Sequence, residues 1–261
     1  MAFNRDELRT RGVALPPVIR DIGGRRVIMP VDPDSAGTWL AVNDAGVILG
    51  LLNVNLLGTV GLSSVQCPGL WAACGFAQAH DEPAPPAVPT GAQSRERLQT
   101  RGGIIPSLID AGDAEAAAAT AGRIDPALYP PFRLVIVDRR RVHQVVSDGS
   151  SLRVDGPWSA DEPRVFASSG LGDHLVEGPR RELFEAMVVP HPQDAAAQDA
   201  YHRHRWPDRP HLSVNMDRPD ARTVSRAAVE LTHDRVTMSY HADPGDTGPG
   251  VVVELPLRRR A

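Results

Sequence analysis

The chain has 261 residues, enough for one large domain or two small ones, and its 42% hydrophobic and 23% charged residues are those of an ordinary globular protein with a sizeable core. A net charge of -4, from 28 Lys and Arg against 32 Asp and Glu, excludes a phosphate-neutralising surface as its main business, so nucleic acid is not expected as a partner. Two cysteines, Cys67 and Cys74, do not make a disulfide scaffold in a chain this long, and their spacing fits no common zinc arrangement.

In chain order, the polar cluster Asn4, Arg5, Asp6 and Glu7 comes first. Apolar runs at 26–30, 38–43 and 47–53 read as strands, the last two joined by "NDAG", where Gly46 can take a positive φ and close a hairpin. The uncharged stretch 45–65 is long enough to cross a bilayer. Asn53 and Asn55 near its middle, repeated glycines and the lack of flanking aromatic or basic residues make it a buried strand running into a loop. Residues 66–93 form a Pro/Ala/Gly-rich irregular loop within a single domain spanning 1–261. With no apolar leader run at the start, a cytoplasmic chain without a membrane span is expected.

Two short helices follow, one after Pro106 and one across the alanine run of "DAEAAAATAG". "FRLVIVD" and "VHQVVS" flank a basic turn and predict a second hairpin. "GPRRELFEAMVVP" predicts a helix with Pro179 at its first position and Leu183, Phe184, Met187 and Val188 on one face. "DAAAQDA" is a helical pattern, and "RAAVELT" with "RVTMSYH" makes a third hairpin around His233-Asp234. Hairpins with clustered helices and no regular strand–helix alternation predict an α+β layered fold with antiparallel sheets.

Three groups of residues invite a chemical reading. His202, His204 and His211 lie close in sequence, but a helix turns the first two apart and no ligand set is completed, so a polar loop is expected there and no metal. "SSGLGDH", from Ser168 to His174, offers Ser, Asp and His together, yet its glycines point to a backbone turn beside a binding face. No nucleophile elbow or phosphate-cradling loop occurs, so no cofactor is expected.

The opening "NRDE" gains weight from "AGTWLAVNDAGVILGLLN", "SRERLQTRGGIIPSLID", "YPPFRLVIVD", "FASSGLGDHLVEGPRRELF" and "DARTVSRAAVEL". Together these resemble the NRDE family, which includes the transport-and-Golgi-organisation proteins of animals. The resemblance covers nearly the whole chain except the Pro-rich loop. It implies an N-terminal-nucleophile (Ntn) hydrolase-like scaffold, a four-layer αββα sandwich, closest to the penicillin acylase and bile-salt hydrolase branch. Asn4 and Asp6 match that branch's Asn-x-Asp element, and Asn53 ends the match to its second motif. By resemblance, Asp6 orients the nucleophile's own amine and Asn53 donates to the oxyanion. Arg5, Glu7 and Arg95 are weaker candidates, and for Arg5 and Arg95 ion pairs holding the loops serve equally well.

In such enzymes the terminal amine, with a pKa of about 8, is the general base for the first residue's side chain. Removing Met1 here leaves Ala2, and both cysteines are internal. The expectation is therefore a native start about fifteen to twenty residues upstream, one strand and a turn, beginning Met-Cys. The function expected of that form is hydrolysis or acyl transfer on a small-molecule amide or thioester. The alternative is a non-catalytic ligand-binding or trafficking protein, handling haem or lipid, on the same scaffold. The oligomeric state is left open.

Overall fold

A computed structural model describes residues 1–55 and 98–258. Arg95, both cysteines and the loop expected at 66–93 lie outside the described residues.

Eleven strands are described: β1 (Ala2–Leu8), β2 (Leu15–Ile22), β3 (Arg25–Val31), β4 (Leu40–Asn43), β5 (Ile48–Asn53), β6 (Phe132–Val137), β7 (Arg141–Ser147), β8 (Leu152–Ser159), β9 (Ala221–Leu231), β10 (Arg235–His241) and β11 (Val251–Pro256). They build two antiparallel sheets, one of four strands ordered β1-β9-β10-β11 and one of seven running consecutively from β2 to β8. Three helices, α1 (Ala114–Ala121), α2 (Asp173–Met187) and α3 (Ala195–Arg203), and two 3-10 turns, Arg101–Gly103 and Ile105–Ser107, supply the outer layers.

Three apolar cores define the layering. Between the sheets, Ile28, Leu40, Val42 and Ile48 meet Val229, Val236, Met238, Tyr240 and Leu255. On the far side of the large sheet, Val27, Leu49, Leu134 and Ile136 pack under Ile104, Ile105 and the alanines of α1. Outside the small sheet, Leu183, Phe184 and Met187 of α2 close on Tyr201 of α3 and on Val214. The order is helix, sheet, sheet, helix: the αββα sandwich expected from the sequence. Each strand between two cores must bury both faces, which is why β3, β4 and β5 read as unbroken apolar runs.

The three expected hairpins are present as β4–β5, β6–β7 and β9–β10. Gly46 adopts φ +82° in the first, a conformation a side chain would strain. Asn43 explains the rest of that turn. Its amide donates to the carbonyls of Ile109 (2.6 Å) and Ala111 (2.8 Å), while its Oδ1 accepts from the N–H groups of Ala45 and Val47. One buried side chain thus ties the hairpin to the outer layer. Gly50 has a different cause: a Cβ there would stand 2.6 Å from Met1 Cε and 3.3 Å from the Phe3 ring.

Two expectations about helices need correction. α2 begins at Asp173, not at Pro179, which sits inside the helix. An internal proline costs about 3 kcal/mol, and the apolar face of α2 together with the buried Arg180 offsets it. Arg180 donates to the carbonyls of Leu212, Ser168 and Ser213. The helix expected after Pro106 is a 3-10 turn that includes that proline. No helix among the described residues is long and apolar enough to cross a membrane.

Asn43→Ala should destabilise the protein by about 3 kcal/mol, because it strands buried backbone partners on both sides of the turn. Urea denaturation with an unchanged m-value checks this, and a loss under about 1 kcal/mol would show that water replaces the amide.

Candidate functional site

The "NRDE" residues lie on β1, at one edge of the four-stranded sheet. Successive side chains of a strand point to opposite faces, so the tetrapeptide divides in two. Asn4 and Asp6 face the helices; Arg5 and Glu7 face the space between the sheets, on the side where Phe3 joins the inter-sheet core.

On the helix side, Asn4 Nδ2 donates to the carbonyls of His202 (2.8 Å) and Val214 (2.9 Å). Its Oδ1 lies 3.1 Å from His202 Nδ1. An amide oxygen only accepts, so the neutral ring carries its proton on Nδ1. Burial, with the nearby terminal ammonium and Arg180 adding to it, pushes the His202 imidazole down to about 3. Asn4 therefore clamps β1 to the end of α3 and to the 214 segment.

Asp6 Oδ1 accepts from the Thr223 hydroxyl at 2.6 Å, and Thr223 Oγ1 in turn accepts from the Met216 N–H at 2.8 Å. Burial pushes the Asp6 carboxyl above the ordinary range; the charges of Arg180 and Arg218 and the Thr223 hydroxyl offset this only in part, and Glu7 adds to it. This group can hold a proton or anchor a cation. The hydroxyl beside it is hydrogen-bonded to a carboxylate, not to an imidazole that could activate it.

Between the sheets, the Arg5 guanidinium lies 4.4 Å from the centre of the Trp39 ring, with Nη2 3.1 Å from Glu7 Oε2 and 3.6 Å from Asp32 Oδ2. Arg11 continues the array to Asp32 at 2.6 Å and Asp34 at 3.2 Å. Arg5 Nη1 is buried without a hydrogen-bond partner. Ion pairing is the alternative given above for Arg5, and Glu7 enters here as its partner.

Asn53 ends β5 opposite Phe132 and is exposed, and its side chain makes no hydrogen bond among the described residues. Two positions on, Asn55 donates to Asp173 in the first turn of α2 (3.3 Å). Burial raises the Asp173 carboxyl, against the Ser169 N–H and the Asn55 groups that bond it. The "SSGLGDH" glycines make the turn into α2, with Gly172 at φ +119°. His204 packs edge-on against Trp206 at 5.0 Å, away from the Asn4 clamp of His202. No group of three or more His, Cys, Asp or Glu able to hold a metal occurs among the described residues.

Thr223, Arg180, Arg218 and Trp39 complete these two clusters, and spacing singles out none of them. Three lie in segments quoted for the resemblance, "DARTVSRAAVEL", "GPRRELF" and "GTWLAVN".

A four-layer antiparallel sandwich with a polar edge strand is the class of protein that fold and site define. No protein-family model matches the chain, and no curated protein does. Among solved structures it is similar to penicillin V acylase from Agrobacterium tumefaciens, at 11% identity and a TM-score of 0.45, covering 97% of this chain and 86% of that one.

The unfolded imidazole takes up a proton below about 6.5, whereas the folded His202 ring does so near 3. Its contribution to stability is therefore complete above pH 6.5 and is lost as pH falls from there. In ring NMR spectra from about pH 8 to pH 5, His202 should keep the Nδ1–H tautomer and show no titration. A midpoint above about pH 5.5 would show that water reaches the ring and that the Asn4 clamp is open.

Proposed function

We propose that this chain is an NRDE-family protein on an Ntn-hydrolase-like scaffold, acting on small-molecule amides or thioesters in a form that begins with cysteine. One observation carries the reading. β1 is an edge strand, paired with β9 on one side only among the described residues, and it holds a carboxyl of raised pKa beside Thr223. An unpaired strand edge is a template for one more strand. A cysteine-led strand along it would bring its terminal amine towards the Asp6 carboxylate.

The chemistry then follows from the groups. The amine takes the thiol proton, and the thiolate attacks the substrate carbonyl. The collapsing intermediate expels an amine or thiol, which leaves with that proton, and an S-acyl enzyme remains. Water hydrolyses the acyl group, or a second amine accepts it. Both amide hydrogens of Asn4 are committed to carbonyls, so oxyanion donation falls to Asn53, whose amide is unspent among the described residues. Arg5 and Glu7 act as a brace between the sheets, and Arg95 stays a weaker candidate. The reading treats 1–261 as one cytoplasmic domain without a resident cofactor.

A second reading, non-catalytic ligand binding or trafficking, gains from an open hollow of about 390 Å³ beside Thr223. Its lining of arginines and aspartates suits a charged small molecule rather than a haem face or a lipid tail.

Intact mass and N-terminal sequence of the protein from its native source separate the two. A mature chain that begins with cysteine ahead of β1 and forms an acyl-cysteine with an activated ester bears out the hydrolase reading. In that form Asp6→Asn should lower kcat by about a hundredfold or more with KM nearly unchanged. A native chain beginning at Ala2 sinks the hydrolase reading and leaves the binding one.

A further inference from the structure

Arg180 is a buried cation, 6% exposed, with no carboxylate at ion-pair distance among the described residues. Its guanidinium is committed to backbone instead. Nε donates to the Leu212 carbonyl at 3.0 Å, Nη1 to Ser168 at 3.3 Å and Nη2 to Ser213 at 2.7 Å. Its own carbonyl accepts from the Tyr201 hydroxyl at 3.2 Å. One residue of α2 therefore joins the turn that leads into that helix, the 212–213 segment and α3. Each attachment lies next to a group that braces the candidate site. Val214, following Ser213, accepts from Asn4, and His202, following Tyr201, accepts from the same amide. Two residues beyond Val214, the Met216 N–H donates to the Thr223 hydroxyl that bonds Asp6. Ser169, following Ser168, donates its N–H to Asp173 at 2.9 Å.

Charge points the same way. A cation of this burial is unfavourable unless a negative charge lies nearby. Asp6 is the acid whose charge acts most strongly on Arg180, ahead of Tyr201 and Asp173, with Arg218 opposing them. The groups acting on Asp6 in turn are Arg180, Arg218 and Glu7, together with the Thr223 hydroxyl bonded to it. Of the two arginines, Arg218 is already neutralised by Asp220: Nη2 donates to Oδ2 at 3.2 Å, and Nε lies 3.1 Å from Oδ1. Arg180 has no such partner, so its charge is the one available to Asp6.

We propose that Arg180 is the positioning residue of the Asp6 site, one guanidinium that aligns the segments bracing Asn4 and Thr223 and balances the Asp6 carboxylate with its charge. A carboxylate that is to hold an amine must be ionised, and an opposite charge favours that form against burial. The inference deepens the hydrolase reading and rests on it only for the amine that Asp6 would hold.

The test is a pH titration of the full 261-residue chain by carboxyl-carbon NMR with labelled aspartate, the Asp6 resonance being assigned by its loss in Asp6→Asn. In Arg180→Gln the Asp6 midpoint should rise by about one pH unit, the effect of removing one nearby opposite charge. Arg180→Lys keeps the charge but not the planar fork, so it should lose stability in urea while leaving most of the midpoint in place. A purely structural arginine would lower stability in both variants and leave the midpoint alone. The assignment is overturned by a rise of less than about half a unit in Arg180→Gln, or by an equal rise in Arg180→Lys. If Arg180→Gln does not fold, adding Asp6→Asn should recover a cooperative urea transition at about pH 8, because the unbalanced carboxylate is gone. Absence of that recovery also overturns it. The titration needs no cysteine-led form, so its failure leaves the hydrolase reading to its own test, and failure of that reading leaves the titration untouched.

Discussion

Alternation along β1 joins the two halves of the sandwich on which every other feature rests. Met1, Phe3, Arg5 and Glu7 point between the sheets, while Asn4 and Asp6 point to the helices. A one-residue slip in the pairing with β9 would exchange these sets. It would bury the Asn4 amide among Ile48 and Val229 and turn Phe3 towards the His202 ring. Each group would lose its partners at once. The register shift between Arg5 and Asp6, where β9 passes from Ser225 to Thr223, adjusts the match so that the Thr223 hydroxyl still meets the Asp6 carboxyl.

The same alternation brings charge into places that water cannot fully reach, and the structure handles two of the buried arginines near β1, Arg180 and Arg5, differently. Arg180 uses three nitrogens on backbone carbonyls, replacing its hydration shell with fixed dipoles. Arg5 is held instead by Glu7, Asp32 and the face of Trp39, with one nitrogen unsatisfied. A buried ion pair roughly breaks even against an apolar replacement. Arg5 is thus better understood as setting how the edge of one sheet sits on the other than as adding stability. Asp44 does comparable work at the β4–β5 turn, where it accepts from Arg26 N–H and pairs with Arg25 and Arg258.

Much of the architecture was legible in the sequence because strands buried on both faces, such as β3 and β5, read as apolar runs, and Asn43 with Gly46 punctuates the turn between β4 and β5. β2, β8 and β11 were not legible. Each is largely exposed at a sheet edge, and β2 carries Pro16 and Pro17, so neither an apolar run nor a clean alternation marks them. The start of α2 was misplaced because Pro179 is usually a helix opener, and only tertiary packing around Arg180 tolerates it inside. At the candidate site, the sequence singled out β1 by resemblance. The partners of Asp6 come from residues more than a hundred and seventy positions away, Arg180, Arg218 and Thr223, and no local pattern points to them.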